Sequence, residues 1–441
     1  MKRGVFLDPI LVCLIDFSLL FTLLGLGTPI GATLAIAGFT GIYLLSGPVV
    51  ALTVMGRSVF SFVNEYFLVV VPLFILMGNL AWAAGISRGM YDAAFKWLSR
   101  LPGGLALTTV ATCAGFAAVT GSSVATVATI GAVTLPEMKR HGYDDKLAVG
   151  CVAASGTLGV LIPPSVIGVI YAVIIECSVS RMLIAGILPG VLSALIYLVM
   201  IVVRVKLKPS LAPVSAISVN WRSRFTSLNG AWPAFLLFLL VIGGIYSGIT
   251  TATEAGALGA FAATVMCVIK RRGKLSFLRD GLASAAQITS TVFMIVIGAL
   301  LFTLFINLSG LPTLVARWVV ELPIPNAACL LVILLVYIPL GMFLDATAML
   351  FVTVPVFQPV ISAMGYDSIW FGIVTIKMIE IGLITPPVGI NVLTIKSIAP
   401  DIDTNVAFGS IIWFLAMDLL TVAILIAVPQ ISLFLPQHMK G

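Results

Sequence analysis

Long apolar runs alternate with short polar interruptions along the whole chain, and the run lengths define the elements. Runs near 10–26, 29–46 and 66–85 are each about one membrane crossing long, since about 20 apolar residues in a helix span the hydrocarbon. The next two, 104–119 and 124–138, are separated by Thr120-Gly121-Ser122-Ser123. At about 1.5 Å per residue each is about 22 Å long, short of a hydrocarbon core of about 30 Å. The pair therefore predicts a hairpin, 104–138, that enters and returns on one side with its polar tip near mid-membrane, a depth where non-helical backbone must face protein or a water-filled cavity. A helix broken at Pro163-Pro164 follows over 146–178, then a span at 182–205. After a polar linker, 206–230, the order recurs. Spans near 231–248, 253–269 and 281–308 precede a hairpin at 326–363, a helix over 366–399 broken at Pro386-Pro387, and a last span at 405–435.

The recurrence is visible residue by residue. At an offset of 223, Pro136 meets Pro359, Gly142-Tyr143-Asp144 meets Gly365-Tyr366-Asp367, Gly159 meets Gly382 and the two Pro-Pro pairs coincide, seven identities in positions 136 to 164. The predicted fold class is an all-α polytopic membrane protein of two repeats, 1–205 and 231–441, each with three spans, a re-entrant hairpin, a broken helix and a span. Five crossings separate the hairpins, an odd number, so the repeats are predicted to be inverted and the hairpins to enter from opposite faces. Duplicated membrane proteins with a broken helix in each half are typically secondary transporters, with the substrate site where the broken helices meet.

Composition fixes the solvent: 60% of residues are hydrophobic and 9% charged, which a bilayer accommodates and a soluble domain does not. The basic start and first apolar run look like a secretory signal, but Asp8, Asp16 and the lack of a small-residue cleavage site after Leu26 predict a retained first span. The net charge of +7 does not form a nucleic-acid surface, because the basic residues cluster in short loops. These are Arg88, Lys96 and Arg100; Lys139, Arg140 and Lys146; Arg204, Lys206, Lys208, Arg222 and Arg224; and Lys270, Arg271, Arg272, Lys274 and Arg279. With Lys396 they place 17 of the 24 Lys and Arg on one side. The N-terminal side holds six, Lys2, Arg3, Arg57, Arg181, Arg317 and Lys440, while Lys377 falls within a helix. An excess of Lys and Arg marks the cytoplasm. Both termini and the opening of the second hairpin are therefore expected outside, and the first hairpin is expected to open from the cytoplasm.

Absences narrow the chemistry. The six cysteines stand singly in apolar segments, and His141 and His438 lie in a loop and the tail, so no Cys or His metal site is expected. No Gly-x-x-x-x-Gly-Lys-Ser/Thr run supplies an ATP-hydrolysing loop. Asp345 has no evident carboxylate partner and no histidine lies in a span, which argues against intramembrane hydrolysis. Transport driven by an ion gradient is what remains, with no organic cofactor.

The breaks carry the candidate sites. At Thr120-Gly121-Ser122-Ser123 one half-helix ends in free carbonyls and the next begins with free amides; carbonyl and hydroxyl oxygens suit Na⁺, and the positive helix start suits a carboxylate. The plainer reading is a small-residue packing face with hydroxyls bonded to the preceding turn. Pro163 and Pro164 donate no backbone hydrogen bond and free carbonyls near Gly159 and Val160, behind Ser155-Gly156-Thr157 and ahead of Ser165. In the second half the tip is Gly341-Met342-Phe343-Leu344-Asp345-Ala346-Thr347, with Asp345 at the offset from Ser122. A carboxylate at that depth is a functional candidate; it is equally a good helix N-cap. Gly382-Leu383-Ile384-Thr385-Pro386-Pro387-Val388-Gly389 forms the matching break, with Asn391 beyond it. Lys377 and Glu380, three apart, are expected to pair. Asp16, Glu176 and Asp418 read as structural or interfacial, and Glu254 as favoured by a helix start.

In this order the motifs resemble the large membrane subunit of tripartite ATP-independent periplasmic (TRAP) transporters, carriers of C4-dicarboxylates, sialic acid and other organic acids. The resemblance covers essentially the whole chain. It rests on Pro72-Leu73-Phe74-Ile75-Leu76-Met77-Gly78, Gly103-Gly104-Leu105-Ala106, Thr120-Gly121-Ser122-Ser123-Val124-Ala125, Leu161-Ile162-Pro163-Pro164-Ser165, Thr253-Glu254-Ala255, Gly341-Met342-Phe343-Leu344-Asp345 and the Gly382–Gly389 segment. It implies an elevator-type transporter in the bacterial inner membrane, in which hairpins and broken helices slide against a scaffold. It implies Na⁺ as coupling ion, with one ion near Ser122, Ser123, Gly156, Val160 and Pro163 and one near Asp345, Thr347, Gly382 and Thr385. Substrate is then expected at Thr120, Gly121, Ser122, Ser165 and Asn391. The implied partners are a small four-helix membrane subunit, expected as a separate chain because nothing precedes the first span, and a periplasmic substrate-binding protein. Ala252 stands where many relatives have proline, away from the ion sites. The alternatives are a stand-alone Na⁺/dicarboxylate carrier, a non-transporting scaffold and an intramembrane hydrolase.

Overall fold

The computed structural model describes residues 8–213, 220–270, 275–321, 323 and 325–440. Lys2, Arg3, Arg271, Arg272 and Lys274, counted in the charge census, lie outside the described residues, as do 214–219 of the linker. Regular structure among the described residues is helical. Among the described residues, seven helices are long and apolar enough to cross a bilayer, or eight with one bent pair counted as a single span. Two further apolar helices, Pro9–Gly25 and Ile30–Ser46, have 17 residues each, the lower limit for a crossing.

The first hairpin consists of Gly104–Thr120 and Ser123–Arg140, and the second of Asn326–Gly341 and Ala346–Ala363. The broken helices are Asp145–Leu161 with Val166–Ile174, bent by 44°, and Ser368–Ile384 with Ile390–Ile398. Both Pro-Pro peptides are cis. The offset extends to the boundaries: Ser123–Arg140 and Asp145–Leu161 superpose, end for end, on Ala346–Ala363 and Ser368–Ile384 at 223 residues. The same kind of cap starts the equivalent helices, Asp144 accepting from the Leu147 amide at 3.1 Å and Asp367 from Ile369 and Trp370 at 2.8 and 2.9 Å.

Three helices have no counterpart in the run-length reading: Pro48–Val63, Ile86–Leu98 and Leu311–Glu321. Charges interrupt their apolar runs, Arg57 in the first, Arg88, Asp92 and Lys96 in the second, Arg317 in the third, so they are amphipathic rather than continuously apolar. The linker is also shorter than 206–230, because Asn220 accepts the Ser223 amide at 2.8 Å and starts a helix at Trp221 that runs to Phe238. The segment 182–205 is a short helix, Val179–Ala185, and a long one, Ile187–Leu207, meeting at Gly186. A Cβ there would lie 2.3 Å from the Leu161 carbonyl oxygen, so glycine lets the first break sit against this joint. The last span, 405–435, is three helices, Thr404–Gly409, Ile412–Ala427 and Gln430–His438, with Pro429 at the final joint.

Arms of the broken helices are exchanged between the halves. Ile390–Ile398 packs on Ser123–Arg140 and Asp145–Leu161, while Val166–Ile174 packs on Ala346–Ala363 and Ser368–Ile384. The exchange joins hairpins and broken helices into one body. Outside it, Ile30–Ser46 lies against Leu275–Leu308 at very short range: a Cβ on Gly38 would be 2.3 Å from the Leu301 backbone, and one on Gly298 2.0 Å from the Gly31 carbonyl oxygen. Such small-residue contact is how helices associate where no hydrophobic force draws them together. Large apolar side chains such as Val49, Phe60, Phe261, Ile269 and Leu335 remain exposed, as a lipid-facing surface requires. At the surface, Lys139 in the last turn of Ser123–Arg140 pairs with Asp401 beyond the second broken helix, and its hydrogen bond holds the Asp401 carboxyl below the usual carboxylate range.

Candidate functional site

Both hairpin tips and both breaks open on one cavity of about 570 Å³. Its wall includes Thr120 to Ala125 from the first tip, Asp345 to Thr347 from the second, Val160, Val166 and Ile167 at the first break, and Leu383 and Ile390 at the second. Four helices begin at this wall, at Ser123, Val166, Ala346 and Ile390. Three others end there, in the turns that carry Thr120, Val160 and Leu383. Helix starts present unpaired amides and partial positive charge, helix ends unpaired carbonyls and partial negative charge. One chamber therefore offers sites for an anion and for a cation side by side.

Local chemistry explains how the tip is held. Gly121 sits at φ 64°, and a Cβ on it would be 2.4 Å from the Pro164 carbonyl oxygen, so only glycine lets the tip rest on the break. Ser122 caps the following helix through the Ala125 amide at 3.4 Å, and its carbonyl accepts the Thr126 hydroxyl at 2.7 Å. Thr120 shares a hydrogen bond of 3.1 Å with Thr126. At the second tip Asp345 accepts the Ala348 amide at 2.7 Å and also lines the cavity, so capping and cavity-facing positions coincide in one residue. Thr347, buried, lines the cavity beside it.

Other candidate residues stand behind the wall. Ser165 is buried, caps Val166–Ile174 through the Gly168 amide at 3.0 Å and donates to the Val160 carbonyl. Gly156 faces the Val127 side chain, 2.1 Å from where a Cβ would be, which makes it a packing contact with the hairpin arm. Pro163 lies within the break. Gly382 packs on Gly341, a Cβ on either lying 2.5 Å from the other's Cα, and Thr385 donates to the Ile381 carbonyl at 2.6 Å. Asn391 is fully buried and crosses between halves, its Nδ2 donating to Ser123 Oγ at 2.7 Å and to the Ala153 carbonyl at 3.1 Å. Its Oδ1 has no hydrogen-bond partner. The tips thus supply Thr120, Gly121, Ser122, Ser123, Asp345 and Thr347 to the cavity, with Val160, whereas Ser165 and Asn391 hold that wall in place.

The donors fit a hard monovalent cation. They are hydroxyl and carbonyl oxygens with a single carboxylate, and no cluster of three or more His, Cys, Asp or Glu that could hold a metal occurs among the described residues.

Sequence reasoning missed the third side of the chamber. Asn79, Trp82 and Ser284 line it from Val70–Ala83 and Leu275–Leu308. Asn79 donates to the Ile75 carbonyl at 2.8 Å and accepts the Ser284 hydroxyl at 2.9 Å. The available signal was a lone amide directly after Pro72–Gly78. Of its two readings, structural or interfacial, Asp418 takes the structural one. It is fully buried in mid-helix and bonded to Lys377 at 2.6 Å, rather than lying at an interface, and Lys377 pairs with Glu380 at 2.7 Å. Asp16 is likewise buried and accepts the Thr40 hydroxyl at 2.9 Å. Glu254 accepts the Thr251 amide at 2.8 Å and so caps its own helix.

Comparison with known proteins gives this geometry a family. Residues 17–431 match the family described as Tripartite ATP-independent periplasmic transporter, DctM component. The chain is similar to the C4-dicarboxylate TRAP transporter large permease protein DctM of Pseudomonas aeruginosa, 36% identical over 382 residues, 86% of this chain and 88% of that one. It is also similar to the isethionate TRAP transporter permease protein DctMQ of Oleidesulfovibrio alaskensis, 31% identical over 89% of this chain, which spans 61% of that longer protein. Among solved structures, the fold resembles the YdaH transporter of Alcanivorax borkumensis at a TM-score of 0.60 and 15% identity, over 86% of this chain and 89% of that one. These relatives are named as permeases and transporters, not enzymes, and the match across nearly the whole chain places it: this multi-span membrane protein belongs to the DctM family, the large permease component of tripartite ATP-independent periplasmic transporters.

Proposed function

We propose that this protein is the large membrane subunit of a Na⁺-coupled importer of a small organic acid anion in the bacterial inner membrane. The observation that carries the reading is the convergence of four helix starts and three helix ends on one cavity. The starts at Ser123, Val166, Ala346 and Ile390 orient amides toward a carboxylate or sulfonate, the chemistry of the C4-dicarboxylate and isethionate in the relatives' names. The carbonyl ends, the Ser123 and Thr120 hydroxyls and Val160 would hold one Na⁺; Asp345 and Thr347 would hold the other. A bound Na⁺ supplies positive charge beside the substrate anion. Ser165 and Asn391 position the wall, Ser165 by occupying the Val160 carbonyl and Asn391 by holding Ser123.

Two inverted repeats, 1–205 and 231–441, account for the 223-residue correspondence of helix boundaries. The exchanged arms favour an elevator movement, because hairpins and broken helices share contacts and so move as one body past the glycine-packed Ile30–Ser46 and Leu275–Leu308 pair. Family membership implies a small membrane subunit and a periplasmic substrate-binding protein as partners.

Uptake of radiolabelled dicarboxylates and sulfonates into proteoliposomes tests the reading. Uptake is expected only with Na⁺, the small subunit and loaded binding protein together. Uptake without the binding protein would establish the stand-alone carrier instead, and no uptake of any acid by a folded complex would remove transport from consideration.

A further inference from the structure

A second polar centre lies in the interior, apart from the cavity. Lys377 Nζ donates to Glu380 Oε2 at 2.7 Å and to Asp418 Oδ1 at 2.6 Å, and the Tyr197 hydroxyl donates to the same Asp418 oxygen. All four side chains are fully buried, and none lines the chamber. They come from Ser368–Ile384, Ile412–Ala427 and Ile187–Leu207. From the first broken helix, Thr157 faces both Glu380 and Tyr197. Glu380 is the residue at the 223 offset from Thr157, so the first arms of the two broken helices meet here.

The charge count does not close. Two carboxylates share one ammonium, and their bonded oxygens are no farther apart than the two lysine contacts laid end to end. Each carboxylate keeps one buried oxygen, Glu380 Oε1 and Asp418 Oδ2, without a hydrogen-bond donor. Two like charges on one partner in a dry interior resist being ionised together.

We propose that this cluster is a proton-binding site, with the proton carried on Glu380 Oε1 and Asp418 left ionised. Asp418 takes the charge because its Oδ1 receives two donors, from Lys377 and Tyr197, whereas Glu380 receives one. Thr157 already donates to the Ala154 carbonyl at 2.7 Å, so its oxygen keeps lone pairs available to accept the acid O–H. A metal cation in the same place would sit beside the Lys377 ammonium, which disfavours it against a proton.

Ionisable groups on the neighbouring helices are engaged elsewhere. Cys151 donates to the Ala106 carbonyl, Tyr171 to the Ser368 carbonyl and Lys396 to the Ile402 carbonyl, while Tyr337 packs its ring on Phe357 with its buried hydroxyl unpartnered. Arg204 lies over Trp413, and His438 contacts the Phe434 carbonyl at the chain end.

Infrared spectroscopy of the purified protein in detergent tests the site without any transport assay, so its failure is distinct from failure of the transporter reading. At neutral pH the wild type should show the carbonyl stretch of a buried protonated carboxyl that is shifted by carboxyl-labelled glutamate. Asp16, buried with an unpartnered Oδ2, and Asp345 belong to other elements, so the glutamate-labelled component is the one that reads the cluster. Glu380→Gln should remove that band with the thermal midpoint retained, because glutamine mimics the neutral acid. Lys377→Met should add an aspartate-labelled component to the wild-type spectrum, because it leaves Asp418 as well as Glu380 without a counter-charge. No glutamate-labelled band in the wild type, a glutamate-labelled band that survives Glu380→Gln, or one lost on adding NaCl would overturn the proposal. So would a Glu380→Gln protein that cannot fold, since a neutral acid tolerates its amide isostere.

Discussion

Asp345 shows how one side chain serves two purposes: it closes the start of Ala346–Ala363 through the Ala348 amide and still faces the chamber. Asn retains most of a cap's hydrogen bonding, so Asp345→Asn removes charge while leaving the helix start intact. The expected result is normal expression and an increase of about tenfold in the Na⁺ concentration for half-maximal uptake, a change of about 1.4 kcal/mol. Unchanged Na⁺ dependence would restrict Asp345 to its capping role. The pairing of Ser122 with Asp345 was readable from the 223-residue offset alone, as was the contrast of a hydroxyl in one half with a carboxylate in the other. Thr157 and Glu380 repeat that contrast deeper in the molecule. Asn391 was a candidate by its proximity to the break, but its contact with Ser123 spans 268 residues and no local pattern encodes it. The partners of Asp418, Lys377 and Tyr197, were illegible for the same reason: packing brings them to it.

At the scale of elements, local chemistry was legible wherever it was categorical. Two adjacent prolines cannot continue a helix and a Gly-Ser-Ser tip cannot hold one firmly, so breaks and hairpins emerged within a few residues of their observed ends. Amphipathic helices did not emerge, because a search for unbroken apolar runs passes over Ile86–Leu98, where Arg88, Asp92 and Lys96 interrupt them. The capped start at Trp221 was hidden in the same way by Arg222 and Arg224. Contact between helices was invisible too, although glycines mark it. Gly38 has no room for a Cβ against the Leu301 backbone, and overpacking of this kind costs about 1–3 kcal/mol or more. Gly38→Val should therefore lower the thermal midpoint of the detergent-purified protein markedly, whereas Gly56→Val, with open space around it, should leave it near the wild-type value. Equal midpoints for the two variants would show that Ile30–Ser46 and Leu275–Leu308 do not pack as tightly as the structure has them.

For the whole molecule, we propose from the distribution of basic residues an orientation with both termini outside. Single cysteines replacing Lys440 and Arg222 should then label from opposite sides of the membrane in intact cells, the first with an impermeant maleimide added outside and the second only after permeabilisation. Of the native cysteines five are buried and Cys177 is half-buried, so background labelling should be low. Labelling of both positions from outside would overturn the orientation. The chamber itself has a consequence for how such a protein can change over time. No lysine or arginine is among its lining residues, and positive potential comes from peptide groups at the starts of four helices. Almost any point mutation of an arginine deletes its guanidinium, whereas only substitution by proline deletes a backbone amide. Under the proposed function, affinity for negative charge is thereby insulated from drift in the side chains around it, and Trp82, Asn79, Ser284 and their neighbours are free to vary in shape and polarity. A lineage built this way can exchange one acid for another without first losing its hold on acids as a class.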